Sequence, residues 1–448
     1  MKQERKFYWN FISLASALML QNVVTLSVNL ADNVMLGAYS ESALAGVAAV
    51  NQIQFVYQQL LLALGDGLVI FGSQYWGKRR LEPLKRIASS AMRPALLIAA
   101  ALSLAVSMFP REVLQIFTRD PEIVREGMEY LNIIRFTYIF FAVTQILLAT
   151  LRSTEVVKIA FRLSVMTFFV NCGINYVLIY GRFGAPEMGA AGAAIGTLAA
   201  RVLECAVLLV YISRCEKNLR MKWKDYLRWD SVLSVDYLKI AAPMVVVQGL
   251  WGVNTALQTA ILGHMTSNAI AANSVASTLF LLVKSMAVGA SSATVVIIGT
   301  AVGSGDLQRT RGYARTLQKI FVLIGIVSGL VLFFIRTPVL GFYDLTEGTR
   351  QMADTFLIIL SVVCVGMSYQ MPTNNGIIRG GGNAMFVLKM DLVSIWLIVL
   401  PLSFYMAFIA GASPAVVVCC LNADQIFKCV PAFLEVRYGK WMKKLTRE

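Results

Sequence analysis

Few residues of this chain could do chemistry, and the most telling of them lie inside long apolar runs. Asp32 is surrounded by apolar and small polar residues, Asp66 sits between Gly65 and Gly67, and Lys284 stands alone in a later run. Burial disfavours the charged form of a carboxyl. A group such as Asp32 is therefore suited to taking a proton from one side and releasing it on the other. Losing or gaining that charge changes which conformation is preferred, which would tie proton binding to a conformational cycle. Two pairs, Arg201 with Glu204 and Asp424 with Lys428, are three and four residues apart and read as ion pairs within one helix. Other chemistries are poorly supplied. His264 is the single histidine, which is too little for a histidine-rich metal site or proton relay, and no metal site is expected. The seven cysteines contain no C-x-x-C pair and read as small buried hydrophobes. Gly380-Gly381-Gly382 marks a loop rather than a phosphate cradle, because no strand precedes it and no Lys-Ser/Thr follows. Nothing suggests an enzyme: there is no Walker motif, no nucleophile–base set and no catalytic residue to name.

The elements that must position these residues are membrane helices. Of 448 residues, 57% are apolar and only 15% charged, against about 25% charged in a typical soluble protein. Mean hydropathy is +0.66. A soluble domain could not cover that much apolar surface, so a disordered chain, a disulfide-rich secreted domain and an ordinary cytosolic enzyme are excluded. A helix crosses a bilayer in roughly 20 apolar residues. Such segments occur at 11–36, 50–72, 90–110, 128–150, 160–180 and 189–212, then at 237–263, 272–302, 316–336, 351–376, 385–409 and 414–436. The basic start, Met1 to Lys6, and Ala15-Ser16-Ala17 imitate a signal peptide. The apolar run continues to Leu36, too long for one, so it reads as the first span.

The expected organisation is an all-α integral membrane protein of twelve spans: an N-terminal six-helix lobe over 1–212, a basic cytoplasmic linker over 213–236 and a C-terminal six-helix lobe over 237–448. With the N-terminus in the cytoplasm, thirty Lys/Arg fall on the cytoplasmic side, six on the other and four within spans. That asymmetry obeys the positive-inside rule. It accounts for the net charge of +15 without a nucleic-acid partner. Both termini are expected in the cytoplasm and the protein in the inner membrane.

The halves resemble each other at an offset near 226. Asp32-Asn33-Val34-Met35-Leu36-Gly37 aligns with Gln258-Thr259-Ala260-Ile261-Leu262-Gly263, Ala43-Leu44-Ala45 with Ala269-Ile270-Ala271, and Gly77 with Gly303. Six spans per copy make the repeats parallel, and transporters built that way bind substrate near the midplane between them.

These paired elements, together with Asn171-Cys172-Gly173-Ile174-Asn175, the run Met188-Gly189-Ala190-Ala191-Gly192-Ala193-Ala194-Ile195-Gly196-Thr197, and Arg379-Gly380 followed by Asp391 and Pro401, resemble the multidrug and toxic compound extrusion (MATE) family over nearly the whole chain. The resemblance implies two pseudo-twofold-related six-helix bundles in a V shape. It implies export of small, often cationic or amphipathic compounds, driven by proton or sodium entry. It makes Asp32 the cation-coupling residue, with Asn171 and Asn175 as hydrogen-bond neighbours. The only cofactor would be the coupling ion, H+ or Na+; the partners would be small-molecule substrates and lipids, and the protein would act as a monomer.

The sequence departs from the family pattern in several places. Asn175 stands where a second carboxylate is common. Ala17 replaces a proline in span one, whereas Pro243 is present at the matching place in span seven. The C-terminal positions that carry carboxylates in sodium-binding members are Trp251 and, by alignment, Ser368. Proton coupling in the N-terminal lobe is thus favoured over sodium. Asp66 reads as a satisfied structural carboxylate, with a second proton carrier or substrate contact as the alternative. Lys284 would pair with a carboxylate or repel cations. Tyr138, Trp251 and Gln258 are candidate cleft residues, with Tyr57 and Met244 as further aromatic or soft contacts. A flippase for a lipid-linked saccharide is the rival reading; it would call for several buried arginines, and only Arg135 and Arg201 qualify.

Overall fold

A computed structural model describes all residues except 1, 119, 217–218, 220, 222–224, 227, 229, 342–344 and 448. The basic residues Arg119, Lys217, Arg220, Lys222 and Lys224 counted above therefore lie outside the described residues. Among the described residues the fold is helical, with no strand. Eleven helices are long and apolar enough to cross a membrane, and a twelfth span follows when one bent pair is counted as a unit.

That pair is span four. The expected single helix over 128–150 is instead Pro121–Ile134 followed by Thr137–Ser153, bent by 54°. The break falls at Arg135 and Phe136, where the backbone tightens into short-range bonds such as Phe136 N–H to the Ile133 carbonyl. The Thr137 hydroxyl donates to the Ile134 carbonyl at 2.6 Å, satisfying an acceptor there. A side chain bonding back into the ladder is a common companion of helix bends.

The other spans are longer than their apolar cores suggested. Span one is Lys2–Tyr39, span two Glu41–Gly77, span three Leu81–Met108, span five Lys158–Ile179 and span six Gly189–Cys215. Span seven is Ser231–Met265, span eight Ser267–Gly303 and span nine Leu307–Leu340. Span ten starts at Glu347 and loosens into wider π-type turns over Pro372–Ile378. Span eleven, Ala384–Ile409, and span twelve, Pro414–Tyr438, complete the set. The repeat is visible in the helix signals. The Ser40 hydroxyl caps span two by accepting the Ala43 N–H, and the Thr266 hydroxyl caps span eight by accepting the Ala269 N–H. Both helices end on the matched glycines, Gly77 and Gly303. They are also the most enclosed of the eleven unbroken spans, each with 61% of its apolar window buried.

The chain forms two compact units, and their borders differ from the division at 212 and 237. One unit is Leu20–Val245; the other is Met1–Met19 with Val246–Glu448. Spans one and seven are thus each split between units, and the two crossover points lie 226 residues apart. Within the first unit, Tyr237 of span seven donates to the Leu64 carbonyl at 2.8 Å. Gly67 lets Ala241 approach to the point where an added Cβ would lie 3.1 Å from the Ala241 methyl. Within the second unit, Phe7 of span one stacks on Tyr313 at 4.1 Å. In both cases aromatic and small side chains on a long helix find complementary surfaces beyond the sequence boundary of a lobe.

The triple glycine ends span ten. Gly382 takes φ +97°, the left-handed region that favours glycine. The chain end folds back over this turn: the Lys443 N–H donates to the Gly381 carbonyl at 2.7 Å, and Trp441 is fully buried.

Candidate functional site

The site is built in the unit Leu20–Val245. Asn175 of span five donates to Asp32 of span one at 2.7 Å. The same Nδ2 lies 3.4 Å from the Asn171 oxygen, and Asn171 donates to Thr197 of span six at 3.2 Å. The four-residue spacing of Asn171 and Asn175 places both amides on the face toward span six, where they are almost completely buried. Gly196 is the reason span six can come so near. A Cβ there would collide with the Asn175 side chain, and one at Gly192 would lie 2.8 Å from the Leu178 backbone. Small residues at such a contact let helices close up.

Asp32 opens onto a polar cavity made of two adjoining parts, the larger with a volume of about 200 Å³. Both parts are walled by Asn29, Gln58, Phe141, Thr197 and Arg201. Asp32, Tyr57 and Tyr138 line the smaller part; Asn171 and Glu204 line the larger. Tyr57 donates to the Tyr138 carbonyl at 2.6 Å, and their rings lie 5.1 Å apart. Arg201 donates to Glu204 at 2.7 Å and its guanidinium lies 4.9 Å from the Phe141 ring centroid. Among the described residues Asp32 has no basic partner within ion-pair distance. It is the one carboxylate on the wall whose charge is not matched by an adjacent base.

Asp66 is not on that wall. It pairs with Arg152 of span four at 2.5 Å. Gly65 beside it packs toward Ala149, so the glycines bring spans two and four together around the pair. Gln258, Trp251 and Lys284 belong to the other unit. There the Lys284 ammonium lies 5.1 Å from the Trp251 ring centroid, a cation–π contact, and no ion pair to Lys284 occurs among the described residues. Gln258 donates to Asn254 at 3.3 Å.

Two features exceed the sequence reading. Lys428 reaches Asp424 at 2.9 Å within span twelve, but equally Asp391 of span eleven at 2.8 Å. From Asp424 the network continues through Gln425 and Gln370 to Asn374. Periodicity shows only the within-helix half of this arrangement, because Asp391 and Lys428 are far apart in sequence. The second feature is the amide lining. Gln54 and Gln58, four apart in span two, and Asn29, three before Asp32, share the cavity with the predicted residues. Scanning spans one and two for polar residues at helical spacing would have found them.

Comparison with known proteins agrees with this architecture. The model of the MatE family matches twice, over residues 17–177 and 243–405, two segments that start 226 residues apart like the repeats. A relative from Thermotoga maritima, named "Probable multidrug resistance protein NorM", is 26% identical over 442 residues, covering 98% of this chain and 94% of that protein. A solved outward-facing structure of a multidrug resistance MATE family transporter of the MOP superfamily superposes with a TM-score of 0.85 at 17% identity, covering 96% of this chain and 94% of the other. A MOP superfamily transporter from Pyrococcus furiosus, described as having a binding pocket of reverse polarity, superposes with a TM-score of 0.86 at 16% identity and the same coverage.

Proposed function

The chain belongs to the MatE family of multi-pass membrane transport proteins, and from that premise we propose that it is a secondary active exporter of small cationic or amphipathic compounds. Export is coupled to proton entry in preference to sodium, with Asp32 as the coupling residue and Asn171 and Asn175 as its positioning neighbours. The observation that carries this reading is the carboxylate of Asp32 on the wall of a polar cavity, hydrogen-bonded to Asn175 and, among the described residues, without a basic partner. A proton and a cationic substrate both neutralise that charge, so occupancy by one disfavours the other. Transport then follows from alternating exposure of the site. The preference for protons rests on chemistry: a sodium site needs several oxygen ligands, and the second half offers Trp251 and Ser368 where carboxylates would strengthen one.

The same reading places the protein in the cytoplasmic membrane as a monomer with both termini inside. The rival, a flippase for a lipid-linked saccharide, fits the cavity less well. Its wall holds one arginine, Arg201, already paired with Glu204, where a pyrophosphate would call for several.

Reconstitution in proteoliposomes tests the proposal. An imposed pH gradient should drive dye or drug uptake into inverted vesicles, a protonophore should abolish it, and Asp32→Asn should remove the response in a folded protein. Transport that follows only a sodium gradient, or that survives Asp32→Asn, would overturn the coupling assignment.

A further inference from the structure

We infer that Arg201 is a specificity-determining residue that binds the carboxylate of zwitterionic compounds, while Asp32 on the same cavity wall takes their ammonium group. This deepens the export reading and rests on it for the role of the cavity. Among the described residues Arg201 is the only basic side chain lining either part of the cavity. It is held there from two sides: Phe141 lies against the guanidinium, and Glu204 accepts one N–H at 2.7 Å. A guanidinium has five N–H donors in a planar fork that matches a carboxylate. Glu204 uses one of them, and the structure shows no second acceptor for Arg201 among the described residues.

Exposure decides which member of the pair a ligand meets. The Arg201 side chain is 27% exposed and that of Glu204 only 5%. A ligand in the cavity therefore faces the guanidinium, with Glu204 behind it as the group that orients it. One further group points the same way. The Tyr138 hydroxyl is buried without an acceptor among the described residues, and Tyr138 lines the part of the cavity that holds Asp32 and Arg201. Buried donors left unmade are costly. A cavity with spare donors around an arginine suits a ligand group rich in acceptors. A simple lipophilic cation satisfies Asp32 but leaves those donors unused; a zwitterion satisfies both.

Equilibrium binding to the purified full-length protein tests this without depending on transport. The probes are a rhodamine with a free carboxylate and its methyl ester, which differ only at that group, read by fluorescence anisotropy. The wild-type protein should bind the free carboxylate about tenfold more tightly, the scale of one charge-assisted bidentate contact. In Arg201→Gln that ratio should fall to about one. Arg201→Lys should give an intermediate ratio, because the charge stays and the fork is lost. If Arg201→Gln fails to fold around the stranded Glu204, the double variant Arg201→Gln/Glu204→Gln removes both charges and should show the same ratio of about one. Equal affinities for the two dyes in the wild type, or an unchanged preference in the folded variants, would overturn the assignment. Failure of the export reading would appear separately, as absence of gradient-driven transport of either dye.

Discussion

The two repeats place opposite electrostatics on matching helices. In the unit Leu20–Val245, Asp32 lies on a polar cavity with an amide partner and no base. In the other unit the repeat counterpart is Gln258, Lys428 holds Asp391 and Asp424 together, and Lys284 lies against the Trp251 ring with no ion pair among the described residues. With the one-residue insertion, Arg201 corresponds to Lys428, Asn171 to Ile398 and Asn175 to Leu402. One base faces a cavity and is tied to one carboxylate; the other is almost completely buried and tied to two. The same six-helix plan thus carries a carboxylate without an adjacent base in one half and a base closed between two carboxylates in the other. The repeat supplies the scaffold, and a handful of side chains sets how each copy's charges are matched.

The sharpest way to break this comparison is to move the carboxylate. Asp32→Asn/Gln258→Asp should leave gradient-driven transport at background, because Ile398 and Leu402, the repeat counterparts of Asn171 and Asn175, offer a carboxyl no hydrogen bond. Recovery of transport in the proteoliposome assay would show the halves to be interchangeable. Next in size is Lys428→Met, which strands Asp391 and Asp424. Removing one partner of a buried ion pair costs about 3–5 kcal/mol, so thermal unfolding in detergent should shift down strongly. Neutralising all three, with Lys428→Met, Asp391→Asn and Asp424→Asn together, should recover much of the loss and leave the ion dependence of transport unchanged.

Asp66→Asn tests the paired carboxylate of the first half. It removes the charge opposite Arg152, whose Nε is already buried without a partner. A loss of about 1–3 kcal/mol is expected, with the coupling ion unchanged; a change in the pH dependence of transport would make Asp66 a proton carrier instead. The smallest effect concerns Asp230, just ahead of span seven. Its carboxylate accepts the Leu233 N–H and bonds Arg86, each at 3.1 Å. The Leu233 N–H foremost, and Arg86 with it, hold the carboxyl below its ordinary value of 3.8. A lowered value in the fold means a contribution present above the unfolded value and lost as pH falls through the folded one. Asp230→Asn should therefore reduce stability slightly at neutral pH, and the gap between the two proteins in thermal melts should close below about pH 4.

Much of the architecture was readable from order alone. The grouping of Asn171 and Asn175 with Asp32 was legible only through the family resemblance; span number, the 226-residue repeat and the shared face of the two amides follow from apolar run length, matched helix ends and i, i+4 spacing. These are local quantities, set by bilayer thickness and helix pitch. The bend at Arg135 was missed because an apolar run continues across it, so hydropathy does not register the break. Asp391 as a partner of Lys428 was missed because two helices 37 residues apart meet only once they pack.

By itself the sequence determined that this is a helical membrane protein made of two parallel repeats, since composition and periodicity constrain each helix independently. Only the tertiary structure decided which buried charges are matched and which are left open. It paired Asp66 with Arg152, closed Lys428 between two aspartates, turned Arg201 toward a cavity, set Lys284 against an indole ring and left Asp32 with an amide. The physical reason is that charge compensation acts through distances of a few ångströms between different helices. Residue order does not contain those distances.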